Sequence, residues 1–203
     1  RDAGLEQIRM PFAIKVSDAG DIYVVDGTLK KVLVFDAQGD YLRSIGTSDM
    51  FDKPSGLAVT GDGTRVYVSD TGGVESIRHQ IRVFDGHSGE HLYDLGSRGA
   101  GPGQFNLPKN IVLTPDGLLA VNDSANFRIQ LIDPKTGEMV RSIGSIGMSF
   151  GQFARPKGID VDADGNIYVA DALLGNLQIF NKEGQLLMHI GQRSESNGPG
   201  NYL

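Results

Sequence analysis

The 203-residue chain contains no cysteine and no tryptophan. A disulfide framework and a thiolate metal site are thereby excluded. Long hydrophobic runs are also missing. Apolar residues make up 39% of the chain but fall in short clusters such as Ile22-Tyr23-Val24-Val25, well below the roughly 18 consecutive apolar residues of a spanning helix. There is no positive excess either, since the net charge is −6, so nothing in the composition drives binding to nucleic acid phosphates. No window shows a sustained i, i+3, i+4, i+7 apolar stripe, and helices should be almost absent. The first residues, Arg1-Asp2-Ala3-Gly4, lack an initiator Met and a basic-then-apolar signal, and the sequence reads as a processed product or a piece of something longer. Absent cysteines suit cytosol and bacterial envelope alike, which leaves the compartment open.

What the chain does have is repetition. Four units align on a proline: Pro11-Phe12-Ala13-Ile14, Pro54-Ser55-Gly56-Leu57, Pro108-Lys109-Asn110-Ile111 and Pro156-Lys157-Gly158-Ile159, with the prolines 43, 54 and 48 residues apart. Each proline opens an apolar alternation. A Gly/Asp turn and a second run ending in Asp26, Asp70, Asp123 or Asp171 follow. A third run comes next, such as Val32-Leu33-Val34-Phe35 or Leu177-Gln178-Ile179-Phe180, and a fourth closes at Ile45-Gly46, Leu95-Gly96, Ile143-Gly144 and Ile190-Gly191. Runs of four to six residues rich in Val, Ile, Tyr and Phe, bounded by pairs such as Asp116-Gly117, predict antiparallel hairpins. Four strands in a period of about 40 to 50 residues predict the blades of an all-β propeller. In that packing the columns Ile14/Leu57/Ile111/Ile159 and Val16/Val59/Leu113/Val161 are expected to be buried.

The strings Gly103-Gln104-Phe105-Asn106-Leu107-Pro108 and Gly151-Gln152-Phe153-Ala154-Arg155-Pro156, with Asn166-Ile167-Tyr168-Val169-Ala170-Asp171 and Asn126-Phe127-Arg128-Ile129-Gln130-Leu131-Ile132-Asp133, resemble the NHL repeat. The resemblance runs over nearly the whole chain, with repeats at about 8–46, 51–96, 105–144 and 153–191 in one propeller segment and 192–203 as the start of a further repeat. It implies a propeller of five or six blades, about 280 residues at this period for the larger, of which this sequence holds four. The tail Gly198-Pro199-Gly200-Asn201-Tyr202-Leu203 copies the stretch from Gly101 to Leu107. Terminal blade faces left open in this way would invite self-association. The resemblance also leans toward a bacterial envelope or extracytoplasmic setting.

Several motifs have plainer explanations than their chemistry suggests. Asp160-Val161-Asp162-Ala163-Asp164-Gly165-Asn166-Ile167, with Asp171 twelfth, has the spacing of a calcium loop, but the aligned stretches lack the first acid and no helices flank it. Gly96-Ser97-Arg98-Gly99-Ala100-Gly101-Pro102-Gly103 leads into a strand rather than a helix, so it reads as a linker and not as a phosphate cradle. Asn122-Asp123-Ser124 satisfies a glycosylation sequon. His79, His87, His91 and His189 fall at different places in the repeat, which argues against a shared zinc ion. Amidating-lyase propellers carry inner-strand histidines, and none occurs here. Gluconolactonase-type propellers hold one divalent ion with Glu, Asn and Asp, and only Asn110 and Asp160 stand at matching inner-strand positions.

The informative places are those where the repeats disagree. Asn110 replaces a Gly or Ala before the inner strand, and Lys15 and Asp160 replace an apolar or small residue two positions on. Unit two alone lengthens the loop between its second and third strands, Thr71 to Gln80, by five residues over the others. That loop should share a rim with the proline linkers, and function in such scaffolds lives in loops. Lys15, Asn110, Asp160, Arg78, His79 and Arg128 are therefore the candidate ligand-binding residues, with no catalytic and no metal set predicted. The leading expectation is a soluble, acidic, non-catalytic binding scaffold that engages a protein or small ligand on one rim. A metal-assisted lactonase- or lyase-like enzyme is the alternative, and a divalent ion enters as cofactor only there. RNA binding through Lys30, Lys31, Arg78, Lys109, Arg128, Arg155 and Lys157 ranks third, because stacking aromatics are scarce on the rim.

Overall fold

A computed structural model of the chain describes residues 7–73, 75–193 and 201–202. The copied tail lies for the most part outside the described residues. Each repeat forms a four-stranded antiparallel meander in which sequence neighbours are hydrogen-bonded neighbours. Blade 1 comprises Pro11–Val16, Ile22–Asp26, Lys31–Phe35 and Tyr41–Ile45. Blade 2 comprises Pro54–Val59, Arg65–Asp70, Gln80–Asp85 and His91–Leu95. Blade 3 comprises Pro108–Leu113, Leu119–Asp123, Arg128–Ile132 and Met139–Ile143. Blade 4 comprises Pro156–Val161, Ile167–Asp171, Asn176–Phe180 and Leu186–Ile190. All four anchor prolines begin first strands, where a missing N–H costs little. The helix found among the described residues is one three-residue 3₁₀ turn, Ser124–Asn126. Among the described residues, no helix is long and apolar enough to cross a membrane.

The chain divides into two compact units, residues 1–98 and 99–203, each with two blades. In the first unit, Val25, Val32, Val34 and Ile45 of blade 1 pack against Leu57, Val66, Val68 and Phe84 of blade 2, with Phe51 of the linker in the same cluster. In the second, Val112, Ala120, Ile129, Leu131 and Ile143 of blade 3 meet Ile167, Val169 and Phe180 of blade 4 around the linker residue Phe153. Each linker aromatic is thus part of a core between sheets. A glycine lets it in: Gly46 and Gly144 directly follow fourth strands at φ +76° and +83°, and a Cβ there would lie 2.6 Å from the Phe51 ring and 2.3 Å from the Phe153 ring. Only glycine combines that backbone with that clearance.

The predicted burial of the two apolar columns holds for some members and fails for others. Leu57 and Ile111 are buried, whereas Ile14 and Val16 are each 61% exposed. Val59, Leu113, Ile159 and Val161 are half-buried. Position in the repeat does not bury a side chain by itself; it needs a sheet on that side. Blade 1 shows Phe12, Ile14 and Val16 on a face where blade 2 presents Leu57 and Val59 to blade 1.

The aspartate that ends each second strand holds the blades to their linkers. Asp26 accepts Arg9 N–H (2.6 Å) and Met10 N–H (2.8 Å) from the incoming linker on one oxygen, and Thr28 and Leu29 N–H (both 2.9 Å) from the following loop on the other. Asp171 repeats this with Ala154, Arg155, Leu173 and Leu174. Burial of Asp26 favours its neutral form, but the four N–H groups outweigh this and hold its pKa below the ordinary value. A depressed folded-state pKa supplies stability that is present above the ordinary carboxylate pKa and lost as pH falls through the folded value. Asp26→Asn should therefore lower the free energy of unfolding by about 3 kcal/mol at neutral pH. The gap between variant and wild type in urea melts should close at strongly acidic pH; a constant gap would contradict the assignment.

Candidate functional site

The loop between the second and third strands of blade 2 is built on a polar base. Asp70 takes Asp52 N–H (2.9 Å) and Lys53 N–H (2.7 Å) from the linker, as its counterparts do, and Thr71 N–H donates to Lys53 O at 3.0 Å. Beneath the loop, the Ser55 hydroxyl lies 3.1 Å from the Ser69 hydroxyl and 2.5 Å from that of Thr71, while Gly56 N–H donates to Ser69 Oγ at 2.7 Å. The linker and the inserted loop therefore lie side by side, as the repeat alignment predicts. Gly72 turns the chain at φ +60°, where a Cβ would be 2.7 Å from Arg78 O and from the Ser76 side chain.

Three side chains then fix the loop's far half. The Ser76 hydroxyl donates to Asp52 Oδ2 at 2.5 Å and accepts Arg78 N–H at 2.9 Å. The Arg98 guanidinium donates to Ser76 O at 2.8 Å. His79 is fully buried, with its Nε2 3.1 Å from Gly73 O. The Arg78 guanidinium lies 3.6 Å from Asp52 with both side chains about two-fifths exposed, a pairing that adds little stability in water and leaves the cation at the surface. Between Ser76 and Arg78, Ile77 stands 82% exposed. A fully solvated isoleucine on a loop anchored at both flanks is the most unusual apolar feature of this rim.

The other predicted residues are not gathered on this loop. Lys15 is half-buried in the first strand of blade 1. Asn110 is exposed in the first strand of blade 3, and Asp160 is exposed in that of blade 4, with its Oδ1 accepting Val161 N–H at 3.0 Å. Arg128 is engaged structurally. It pairs with buried Asp123 at 2.8 Å and donates to Gly101 O and Gln104 O of the linker at 2.8 and 3.1 Å. Gln130 works beside it, accepting Gly103 N–H at 3.0 Å and donating to Gln104 O at 2.7 Å, and Gln178 does the same for the next linker.

The calcium-like stretch is a capped hairpin. Asp162 Oδ1 accepts Asp164 and Asn166 N–H, and Oδ2 accepts the Asn166 amide (2.9 Å) and the Tyr168 hydroxyl (3.0 Å). The Asn166 side chain foremost holds the Asp162 pKa below its ordinary value. With Asp171 bound to four N–H groups, the principal acids of the motif are occupied by the chain itself. Among the described residues, no three His, Asp or Glu side chains gather as a metal set.

Sequence reasoning passed over Asn122 except as a sequon. The structure buries it completely, which places it out of reach of a glycosyltransferase in the folded chain, and leaves both Nδ2 and Oδ1 without a partner among the described residues. The equivalent positions hold Val25, Ser69 and Ala170, so the alignment carried the signal. An unsatisfied buried amide costs about 1 to 3 kcal/mol. Asn122→Val should therefore raise the melting temperature in a calorimetric scan, and a fall would mark the amide as engaged in the folded protein.

Residues 153–180 match the family model of the NHL repeat. Solved propeller structures superpose on the chain at low identity. A chain of Kuenenia stuttgartiensis hydrazine synthase shares 20% identity with a TM-score of 0.67, covering 93% of this chain and 52% of that one. A streptogramin B lyase shares 17% with a TM-score of 0.69, covering 91% and 55%. The WD40 propeller domain of Doa1 shares 13% with a TM-score of 0.60, covering 80% and 48%. The chain thus spans about half the length of the structures it matches, and the likeness establishes an all-β propeller fold.

Proposed function

We propose that the protein is a non-catalytic binding scaffold whose contact surface is the blade 2 rim, formed by the inserted loop and the adjoining linker. The observation that carries this reading is Ile77, 82% exposed on a loop whose backbone is fixed through Ser76, Arg78 and Arg98. An apolar side chain presented on a rigid support loses little entropy on docking, which is how protein-recognition surfaces gain affinity. Arg78 beside it supplies a charged rim to an apolar centre. That pairing fits a protein partner with an apolar pocket edged by carboxylates. His79 and Arg98 act as positioning residues for this surface, and Arg128 does so for the linker of its own blade. Lys15, Asn110 and Asp160 provide polar first-strand positions outside this contact.

Ile77→Asp should abolish retention of the physiological partner in quantitative co-purification, a loss of at least tenfold for a central contact, with the melting temperature unchanged. Asp52→Ala, which frees Ser76 and Arg78 from their anchor, should weaken retention less. Equal retention by wild type and Ile77→Asp would overturn the proposal. A stoichiometric divalent ion surviving a chelator wash would replace it with the metal-assisted lactonase or lyase reading, resting on Asn110 and Asp160. Retardation of RNA with a steep salt dependence would replace it with the third.

A further inference from the structure

We propose that the free face of blade 4 in one copy of the chain docks onto the free face of blade 1 in a second copy, recreating between molecules the sheet interface found within each unit. The argument rests on equivalence of position. In the first unit, blade 1 offers Val25, Val32, Val34 and Ile45 to blade 2, and these are all buried. The same repeat positions on blade 4 are Ala170, Leu177, Ile179 and Ile190. There Ile179 is buried, but Ala170 is exposed, Leu177 is half-buried and Ile190 is 49% exposed. A groove of about 330 Å³ runs past Ala170, Gly175 and Leu177. Among the described residues, this face is a donor half-interface left largely uncovered.

Blade 1 carries the receiving half. In the second unit, Phe153, Ile159, Val161 and Val169 are the surface that blade 4 turns toward blade 3. Their counterparts on blade 1 are Ile8, Ile14, Val16 and Val24. Val24 is buried, but Ile8 is 46% exposed and Ile14 and Val16 are each 61% exposed, beside a groove of about 380 Å³ lined by Ile8, Phe12, Ile14 and Val24. Ile8 stands where Phe51 and Phe153 plug the interface within each unit. The two free faces are unlike each other and complementary, so a face cannot pair with its own copy. The contact is heterologous, head to tail. Contiguous exposed aliphatic surface of this kind is what monomeric proteins avoid.

Sedimentation equilibrium of the 203-residue chain across a wide range of concentration tests this. Wild type should self-associate, and Ile14→Asp and Ile190→Asp should each weaken association at least about tenfold while retaining circular dichroism and melting temperature. Val16→Asp probes the same blade 1 face should Ile14→Asp fail to fold. Mixing Ile14→Asp with Ile190→Asp should restore a hetero-complex, because the intact blade 4 face of one meets the intact blade 1 face of the other. A chain that stays monomeric, association indifferent to all three substitutions, or a mixture that fails to recombine would each overturn the proposal.

Discussion

A buried carboxylate at the end of every second strand is the constraint on which the remaining architecture depends. In a meander of short strands, the points of weakness are the connections, where backbone donors leave the ladder and have no partner. Asp26 and Asp171 each collect four such donors, two from the linker before the blade and two from the loop within it. One side chain therefore fixes where a blade begins relative to where its second hairpin turns. The same tie brings the linkers and the second-to-third-strand loops to a common rim, which makes that rim a rigid place to put a recognition surface.

The two middle blades show how far this device bends. Asp70 keeps its linker donors but takes Gly72 N–H, at 3.3 Å, where the loop lengthens. Asp123 keeps Asn106 N–H and turns its second oxygen to the side chains of Asn126, Arg128 and Gln130. Insertion is thus accommodated by moving polar partners rather than by breaking the tie. In blade 2, Arg82 occupies the repeat position of Gln130 and Gln178. It likewise donates to a linker carbonyl, that of Met50, while lying 5.8 Å above the Phe51 ring.

Strand order, the four repeats and the starts of first strands were legible in the sequence, because alternation and turn chemistry are local. Burial was not, as Ile14 and Leu57 show: the same residue class at the same repeat position is solvated in one blade and enclosed in another, and only the presence of a neighbouring sheet decides. Arg128 reads as a rim cation by composition, yet its guanidinium is held by the carboxylate of Asp123, at the end of the preceding strand, and by two linker carbonyls, those of Gly101 and Gln104, far away in sequence. Asn122 departs from Val25, Ser69 and Ala170 in the repeat alignment, but its enclosure was hidden. A polar residue near a strand end normally meets water, and its enclosure depends on packing that no local pattern encodes. The loop from Thr71 to Gln80 was visible as an insertion, but the solvated isoleucine at its centre gained meaning only once its flanks proved to be pinned.

Phe51 and Phe153, each three residues ahead of a proline, fill the core between the preceding sheet and their own, with their rings against Phe84 and Phe180 of the sheet that follows. A repeat counted from its proline therefore leaves behind the aromatic that packs on its own sheet. Duplication or recombination of such a segment preserves a filled core only if its crossover falls ahead of the aromatic, between the closing glycine and the phenylalanine. Exchanges made at the proline would carry a sheet away from its plug. The glycine that opens the path for that ring then serves as the natural seam at which repeats of this type can be gained, lost or shuffled.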